Sequence, residues 1–232
     1  MKFSFVTIFS ELVAPYFEAS ILGRAKNAGL IEIAFLSPRD YSEDKFKRTD
    51  DYAVGGGAGL VFTPAPMFSL FRELRQKDKS AHIVFLTPAA KPFKASDAKR
   101  LSKKEHIVFV CGRYEGIDER VIEEFADEVF SVGDFVLTGG ELAALIMCDA
   151  VSRFVPGVLG NEESLDVESY EGYLLEAPSF AKPSNFEGNC SPSILLKGNH
   201  SKIADFKKTV SKIKTKYFRP DLYEKFLKGT IK

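Results

Sequence analysis

The sequence lacks most of the features that mark metalloproteins, disulfide-stabilised proteins and membrane proteins. Its 232 residues include 3 cysteines, 3 histidines and no tryptophan. Because the cysteines are odd in number and far apart, and the histidines share no ligand spacing, we predict neither a disulfide framework nor metal-ligating residues. No apolar run approaches the ~20 residues that span a bilayer, and the first residues show no leader pattern. We therefore expect a cytoplasmic protein with no membrane partner.

The common phosphate-binding signatures are also missing. The glycine-rich stretch 55–59 has neither the Gly-Lys-Ser/Thr ending of a P-loop nor the spacing of a dinucleotide-binding fingerprint. It follows a polar and charged stretch that begins near residue 38. We predict that residues 38–59 form a mobile, basic, glycine-rich loop.

The net charge of zero hides a segregation of charge along the sequence. Residues 1–104 carry 17 basic and 11 acidic side chains, residues 105–188 carry 4 and 18, and residues 189–232 carry 11 and 3. Two basic segments therefore flank an acidic middle. This pattern favours a polyanionic partner such as RNA. The alternative is that the basic terminal helix presents only a solvated face.

Apolar runs typical of buried strands alternate with helical patterns over most of the sequence, which predicts an α/β domain with a largely parallel sheet. We expect this domain to span residues 1–160, followed by a flexible linker over 161–176 and a small, basic, mainly helical domain over 177–232. The predicted strands are 2–9, 30–37, 81–88, 106–110 and 128–132. The predicted helices are 16–28, 66–77, 96–102, 117–126, 141–154 and 201–218.

The C-terminal helix pattern begins at Ser201, which we expect to be its N-cap. Apolar residues recur behind it at helical spacing and predict one packed face, with lysines on the other. These apolar residues are Ile203, Phe206, Val210, Ile213 and Tyr217.

Two glycine-rich turns, residues 112–116 and 133–140, each connect a strand pattern to a helix pattern. Glycines leave backbone N–H and C=O groups accessible, so a pair of such turns can hold a flat polar ligand. Glu115, Asp134 and Glu141 add negative charge, which argues for a neutral or cationic ligand rather than a phosphate. We interpret the pair as a cofactor pocket; the alternative is two ordinary strand-to-helix turns.

Five sequence strings together resemble one known family. They are DD at 50–51 before GGGAG, CGRYEGIDER at 111–120, VGDFVLTGGEL at 132–142, PGVLGN at 156–161 and LLKGNH at 195–200. In order and over nearly the whole sequence, they are similar to the bacterial tRNA (guanine-37-N1)-methyltransferases of the SPOUT superfamily. The resemblance implies a parallel-sheet domain with a deep trefoil knot, which is an exception to the rule that folds are unknotted. It also implies an obligate homodimer with the active site at the subunit interface.

The resemblance implies S-adenosylmethionine as the cofactor, held by the backbone of three loops. Two positions depart from the family, because Phe135 stands where tyrosine is usual and Ala143 where proline is common. The implied cofactor-binding residues are Leu86, Thr87, Pro88, Gly112, Tyr114, Glu115, Gly116, Val132, Gly133, Asp134, Phe135, Val136, Leu137, Gly139 and Gly140.

The implied substrate is guanosine 37 of tRNA, whose N1 keeps its proton at neutral pH. Methyl transfer therefore needs a base for that proton and a cation for the charge that moves onto O6. By resemblance, Arg153 is the cation and Glu168 the base, although the family usually has aspartate there. Asp166 is the rival base, and the alternative is that both acids are solvated linker residues.

The basic C-terminal helices and the 50–59 loop are expected to hold the anticodon arm. The resemblance also implies a need for magnesium without a protein cage for it. A second hypothesis from a different class is an RNA-binding protein that has lost catalysis through the change from aspartate to Glu168.

Overall fold

A computed structural model describes residues 1–57, 59–161 and 168–230. The protein divides into two compact units, Met1–Gly160 and Asn161–Lys232. The first unit contains β1 (Lys2–Val6), α1 (Ser20–Asn27), β2 (Glu32–Leu36), β3 (Asp50–Tyr52), β4 (Leu60–Phe62), α2 (Pro64–Lys77), β5 (Ala81–Pro92), α3 (Ala95–Leu101), β6 (His106–Val110), α4 (Glu119–Phe125), β7 (Glu128–Ser131) and α5 (Glu141–Ser152).

The main sheet of the first unit has the strand order β2-β1-β6-β5-β7, and each adjacent pair runs parallel. The predicted α/β class is therefore confirmed. Parallel sheets need cover on both faces, which explains why β6 is buried at every position and β1 at every position after Lys2. The trefoil knot and the homodimer stay predictions.

Two apolar layers cover the sheet because successive strand residues point to opposite faces. On β6, Ile107 and Phe109 enter the layer formed with α1, α3 and α5. Val108 and Val110 enter the layer formed with α2 and α4. Helices therefore pack on both faces of the sheet. This packing fixes the positions of the strands and of the loops that leave their carboxyl ends.

The loop predicted over residues 38–59 instead contains regular structure. β3 pairs antiparallel with β4, and Thr63 N–H donates to Thr49 C=O across a distance of 2.8 Å at the open end of the hairpin. The predicted loop therefore contains a strand, β3, which sequence reasoning missed. Asp50 and Asp51 gave no strand signal because aspartate is rare in strands, and they pair through the backbone with β4.

The second unit contains β8 (Asn185–Phe186), β9 (Asn189–Cys190), α6 (His200–Phe218) and α7 (Pro220–Thr230). The predicted C-terminal helix exists, but its N-cap is Asn199, whose side chain accepts from Lys202 N–H. Its packed face also differs from the prediction, because Ile213 and Tyr217 are exposed.

The buried residues of α6 include two polar ones. Ser211 and Thr215 are buried, and they exchange hydrogen bonds with the C=O and N–H of Leu175. Residue 175, placed in the predicted linker, is thus tied to α6. The boundaries predicted for the linker stay predictions. No helix among the described residues has both the length and the apolar character needed to cross a membrane.

His106 joins three elements at the amino edge of the sheet. Its Nε2 lies 2.8 Å from Ser4 Oγ and its Nδ1 lies 2.7 Å from Asp78 Oδ2. Ser4 is 1% exposed, so this Ser-His-Asp arrangement has no access to a substrate and we interpret it as structural. Burial lowers the pKa of His106, although Asp78 opposes the shift.

We predict that the free energy of unfolding falls as the pH drops from 7 to 5. Burial lowers the pKa of His106 in the folded state below the value of about 6.5 in the unfolded state, so protonation in this pH range favours the unfolded state. The hydrogen bond from the Ser80 hydroxyl is the largest cause that lowers the pKa of Asp78 to about 2. The stability that ionised Asp78 contributes is therefore lost only below this pH range. Urea titrations at pH 7, 6 and 5 should show a flatter pH dependence for His106→Gln than for wild type. Equal slopes would contradict this role.

Candidate functional site

A cavity of about 400 Å³ lies at the carboxyl ends of β6 and β7 and beside residues 85–88 in the middle of β5. Ligands of open α/β sheets bind at this edge, because the loops that leave parallel strands gather there. The strand β5 changes its register between Leu86 and Lys91. The intervening residues include Thr87 and Pro88, which line the cavity as predicted.

The first glycine turn forms one wall of this cavity. Gly116 N–H donates to Arg113 C=O at 3.0 Å, and Gly116 has a φ of 115°. Tyr114 also has a positive φ, of 58°, which is strained for a bulky side chain. Such strain persists only where surrounding contacts hold it, and it is common at ligand sites.

The second glycine turn is joined to the first through the backbone. Gly140 N–H donates to Gly112 C=O across 2.8 Å. A Cβ on Gly140 would lie 2.8 Å from Cys111 Cα and 2.9 Å from Gly112 N. Gly140 has a φ of −79°, which any residue can adopt, so space rather than conformation requires glycine here.

The β3–β4 hairpin is attached to the first turn as well. Glu115 N–H donates to Leu60 C=O and Phe62 N–H donates to Gly116 C=O, both at 3.0 Å. Asp118 N–H then donates to Phe62 C=O. The hairpin is therefore continuous, through backbone hydrogen bonds, with a wall of the cavity.

A buried ion pair links the two turns to β1. Arg113 Nε lies 2.9 Å from Glu141 Oε2, and Thr7 donates to the other carboxylate oxygen at 2.7 Å. The Arg113 guanidinium also covers the Phe9 ring at 4.8 Å and donates to the backbone carbonyl of Thr138. Glu141 is buried, at 3% exposed, and its negative charge lies next to the positive charge of Arg113. The two charges therefore offset each other inside the protein.

The remaining charges at the wall are acidic. Glu115 and Glu119 line the cavity, while Arg113 is offset by Glu141. An acidic wall favours a cationic ligand. Cys111 lies behind the wall, and burial raises the pKa of its thiol well above the ordinary value, so it is a neutral packing residue rather than a nucleophile.

The structure brings nearly all predicted cofactor residues to this cavity. Leu86, Thr87, Pro88, Gly112, Tyr114, Glu115, Gly116, Val132, Phe135, Val136, Leu137, Gly139 and Gly140 line it. Gly133 and Asp134 do not belong to the lining, and their predicted role stays a prediction. Gly133 instead anchors the second turn by accepting from Ser131 Oγ at 2.8 Å.

Sequence reasoning missed the side chains that complete the wall. The lining residues not predicted are Phe85, Arg113, Ile117, Glu119, Ile122, Phe130, Ser131, Thr138 and Ala143. Arg113, Ile117 and Glu119 lie inside the CGRYEGIDER string and Thr138 lies inside the VGDFVLTGGEL string, which could have identified them. The others come from strands and helices, where a residue gives the same sequence signal whether it faces the core or a cavity.

The predicted catalytic residues lie in different units. Arg153 is the C-cap of α5 in the first unit, and Glu168 begins the described part of the second unit that follows residue 161. Asp166, the rival base, lies outside the described residues. The assignment of Arg153 and Glu168 stays a prediction.

The protein is similar to known proteins over almost its whole length. The family described as tRNA (Guanine-1)-methyltransferase TrmD matches residues 1–225. A tRNA (guanine-N(1)-)-methyltransferase of Sulfurovum sp. (strain NBC37-1) is 60% identical over 225 residues, covering 97% of this protein and 99% of the relative. The same-named protein of Sulfurimonas denitrificans is 59% identical, with 95% and 96% covered. That of Campylobacter curvus is 56% identical, with 100% and 98% covered.

Substituting Gly140 by alanine should weaken binding of the predicted ligand, S-adenosylmethionine, because the new Cβ forces the two turns apart. Overpacking costs roughly 1–3 kcal/mol, so we expect titration calorimetry to show an affinity about 10- to 100-fold lower. Gly160→Ala is the matched control, since nothing lies within 4 Å of its Cβ position. If a folded Gly140→Ala protein binds S-adenosylmethionine with wild-type affinity, this cavity is not the binding site.

Proposed function

Because the protein belongs to the family of tRNA (guanine-N1)-methyltransferases, we propose that it uses S-adenosylmethionine to methylate N1 of guanosine 37 in tRNA. The observation that carries this proposal is the cavity at the strand ends, whose lining contains most of the predicted cofactor residues. Methylation of a tRNA transcript that differs only at position 37 tests it. A transcript lacking that guanosine should accept no methyl group.

The residues of the cavity fit this cofactor. A volume of about 400 Å³ lies within the range of small-molecule sites. Apolar side chains such as Ile117, Phe130 and Leu137 can enclose an adenine ring, while the glycine turns offer backbone groups to its edge. Glu115 and Glu119 favour the positive sulfonium, which supplies the methyl group.

We assign the proton and charge movements to Glu168 and Arg153. The Glu168 carboxylate would accept the N1 proton, and the bound S-adenosylmethionine would supply the methyl group that N1 receives. Arg153 stabilises the negative charge that gathers on O6. Glutamate and aspartate have similar intrinsic pKa values, so the extra methylene of Glu168 changes reach rather than basicity. We keep magnesium as a predicted requirement without protein ligands.

The proposed homodimer has a suitable surface in the first unit. Leu142 and Ile146 lie one turn apart on α5, and both are exposed. Tyr16, also exposed, donates to Asp149 of the same helix at 2.6 Å, which raises the pKa of Tyr16 to about 12 and keeps it neutral. A neighbouring set of large exposed apolar groups typically marks an interface. We propose that a second copy of the protein packs on this surface.

An RNA-binding protein without catalysis is the alternative, favoured only by Glu168 in place of the usual aspartate. Both hypotheses allow the cavity to bind the cofactor. Transfer of a labelled methyl group to unmodified tRNA separates them.

We predict that Glu168→Gln lowers turnover by roughly 10² to 10⁴, the range for loss of a general base. Binding of tRNA and of S-adenosylmethionine should change little, because the amide keeps the shape of the carboxylate. Asp166→Asn is the matched control and should be much milder. Single-turnover methylation at saturating tRNA measures both. If Asp166→Asn is inactive while Glu168→Gln has normal turnover, Asp166 is the general base and Glu168 is not.

The C-terminal lysines are expected to contact tRNA phosphates. On α6 these lysines include Lys207, Lys208, Lys212 and Lys214. Lys207 and Lys208 are exposed, while Lys212 Nζ lies over the Phe226 ring at 5.6 Å. Reversing Lys207 and Lys208 to glutamate should weaken tRNA binding and reduce the logarithmic salt slope by roughly 0.7–0.9 per lost contact.

Lys103→Glu with Lys104→Glu is the matched control for this charge reversal. These adjacent lysines are also exposed, and they precede β6 at the sheet edge opposite the cavity. Filter binding at several salt concentrations should leave this control unchanged. If reversal at 207 and 208 has no more effect than reversal at 103 and 104, the helix presents only a solvated face.

A further inference from the structure

An aromatic side chain stands exposed in a basic turn just before β3. Phe46 is 70% exposed. The Lys45 Nζ atom lies 5.8 Å from the centre of its ring, and the Arg48 Cζ atom lies 5.5 Å from it. No step of the proposed reaction uses this group.

The turn that carries Phe46, residues 42–48, is held by its own hydrogen bonds. Asp44 Oδ1 accepts from Phe46 N–H at 2.7 Å and from Arg48 N–H at 3.2 Å. Lys47 N–H donates to Asp44 C=O, and Ser42 Oγ donates to Arg48 C=O. The ring is therefore presented by a backbone that is already ordered, which lowers the entropy cost of binding to it.

The turn is continuous with the wall of the cofactor cavity. It leads through Thr49 into β3, and Thr49 accepts from Thr63 beyond the end of β4. Within β4, Leu60 and Phe62 are hydrogen-bonded to the first glycine turn. The Phe46 turn is therefore connected to the cavity wall through the β3–β4 hairpin.

The chemistry of the turn matches single-stranded RNA. Bases stack on aromatic rings regardless of their identity, and neighbouring cations contact the phosphates on either side. An exposed cation–π contact is weaker than a base stacked on an aromatic ring. A base can therefore displace Lys45 and Arg48 from the Phe46 ring, which frees both cations for the backbone phosphates.

We propose that Phe46 is a stacking platform for an unpaired base of the tRNA anticodon loop, with Lys45 and Arg48 on the flanking phosphates. This inference rests on the proposed function and adds a specific substrate contact to it. Stacking acts without net charge, whereas the two cations act through the phosphates. The two contributions therefore differ in their dependence on salt.

The test compares Phe46→Ala, Phe46→Leu and Phe46→Trp for binding to an unmodified tRNA transcript with guanosine at position 37. Loss of one stacked base should weaken binding about tenfold in the alanine and leucine proteins, with the salt slope unchanged. Tryptophan should restore it. Lys45→Gln with Arg48→Gln should instead reduce the salt slope. Affinity for S-adenosylmethionine should stay the same throughout.

Transcripts with a single abasic site at each anticodon-loop position identify the base. At one position the abasic change and Phe46→Ala should not add, because both remove the same contact. The stacking proposal would be overturned if the alanine or leucine protein bound the transcript with wild-type affinity, or if the two changes were additive at every position. It would also be overturned if light scattering gave a changed molar mass for Phe46→Ala. A wild-type protein that binds the transcript without methylating it would overturn the proposed function alone. One that does not bind it would overturn both.

Discussion

The close approach of two backbones, at Gly140 and at Cys111–Gly112, is the constraint on which the cavity depends. The hydrogen bond from Gly140 N–H to Gly112 C=O is 2.8 Å long, and a Cβ at residue 140 would meet backbone atoms at the same distance. Backbone atoms cannot rotate aside as a flexible side chain does. The two turns therefore meet only while position 140 is glycine, and the cavity lies between them.

The ion pair between Arg113 and Glu141 follows from that approach. Glu141 is the first residue of α5, directly after Gly140, so the contact between the turns brings its carboxylate beneath Arg113. Burying two charges is costly unless they are paired; here the Thr7 hydroxyl donates to the Glu141 carboxylate, and the Phe9 ring lies against the Arg113 guanidinium. The pair ties β1 to both turns, and it leaves Glu115 and Glu119 to set the charge of the cavity.

Sequence patterns predicted correctly the strands and helices whose positions depend on packing of apolar side chains. The parallel strands and the helices between them were predictable, because the residues that pack on the faces of the sheet give apolar or alternating patterns in the sequence. The β3–β4 hairpin was not, since Asp50 and Asp51 pair through the backbone with partners that the sequence does not reveal. On α6, Ile213 and Tyr217 fit an apolar stripe, yet Ser211 and Thr215 are buried because their hydroxyls satisfy the backbone of Leu175.

The sequence by itself determined the parallel strands and the helices of the first unit, both glycine turns and the resemblance that named most of the cavity lining. These are local properties, carried by residues that are neighbours in the sequence. Tertiary structure decided that Gly112 meets Gly140, that Arg113 meets Glu141, and that β4 is bonded to Glu115 and Gly116. Each of these contacts joins residues from separate elements, and its existence depends on how parallel strands bring their carboxyl ends to one edge of the sheet.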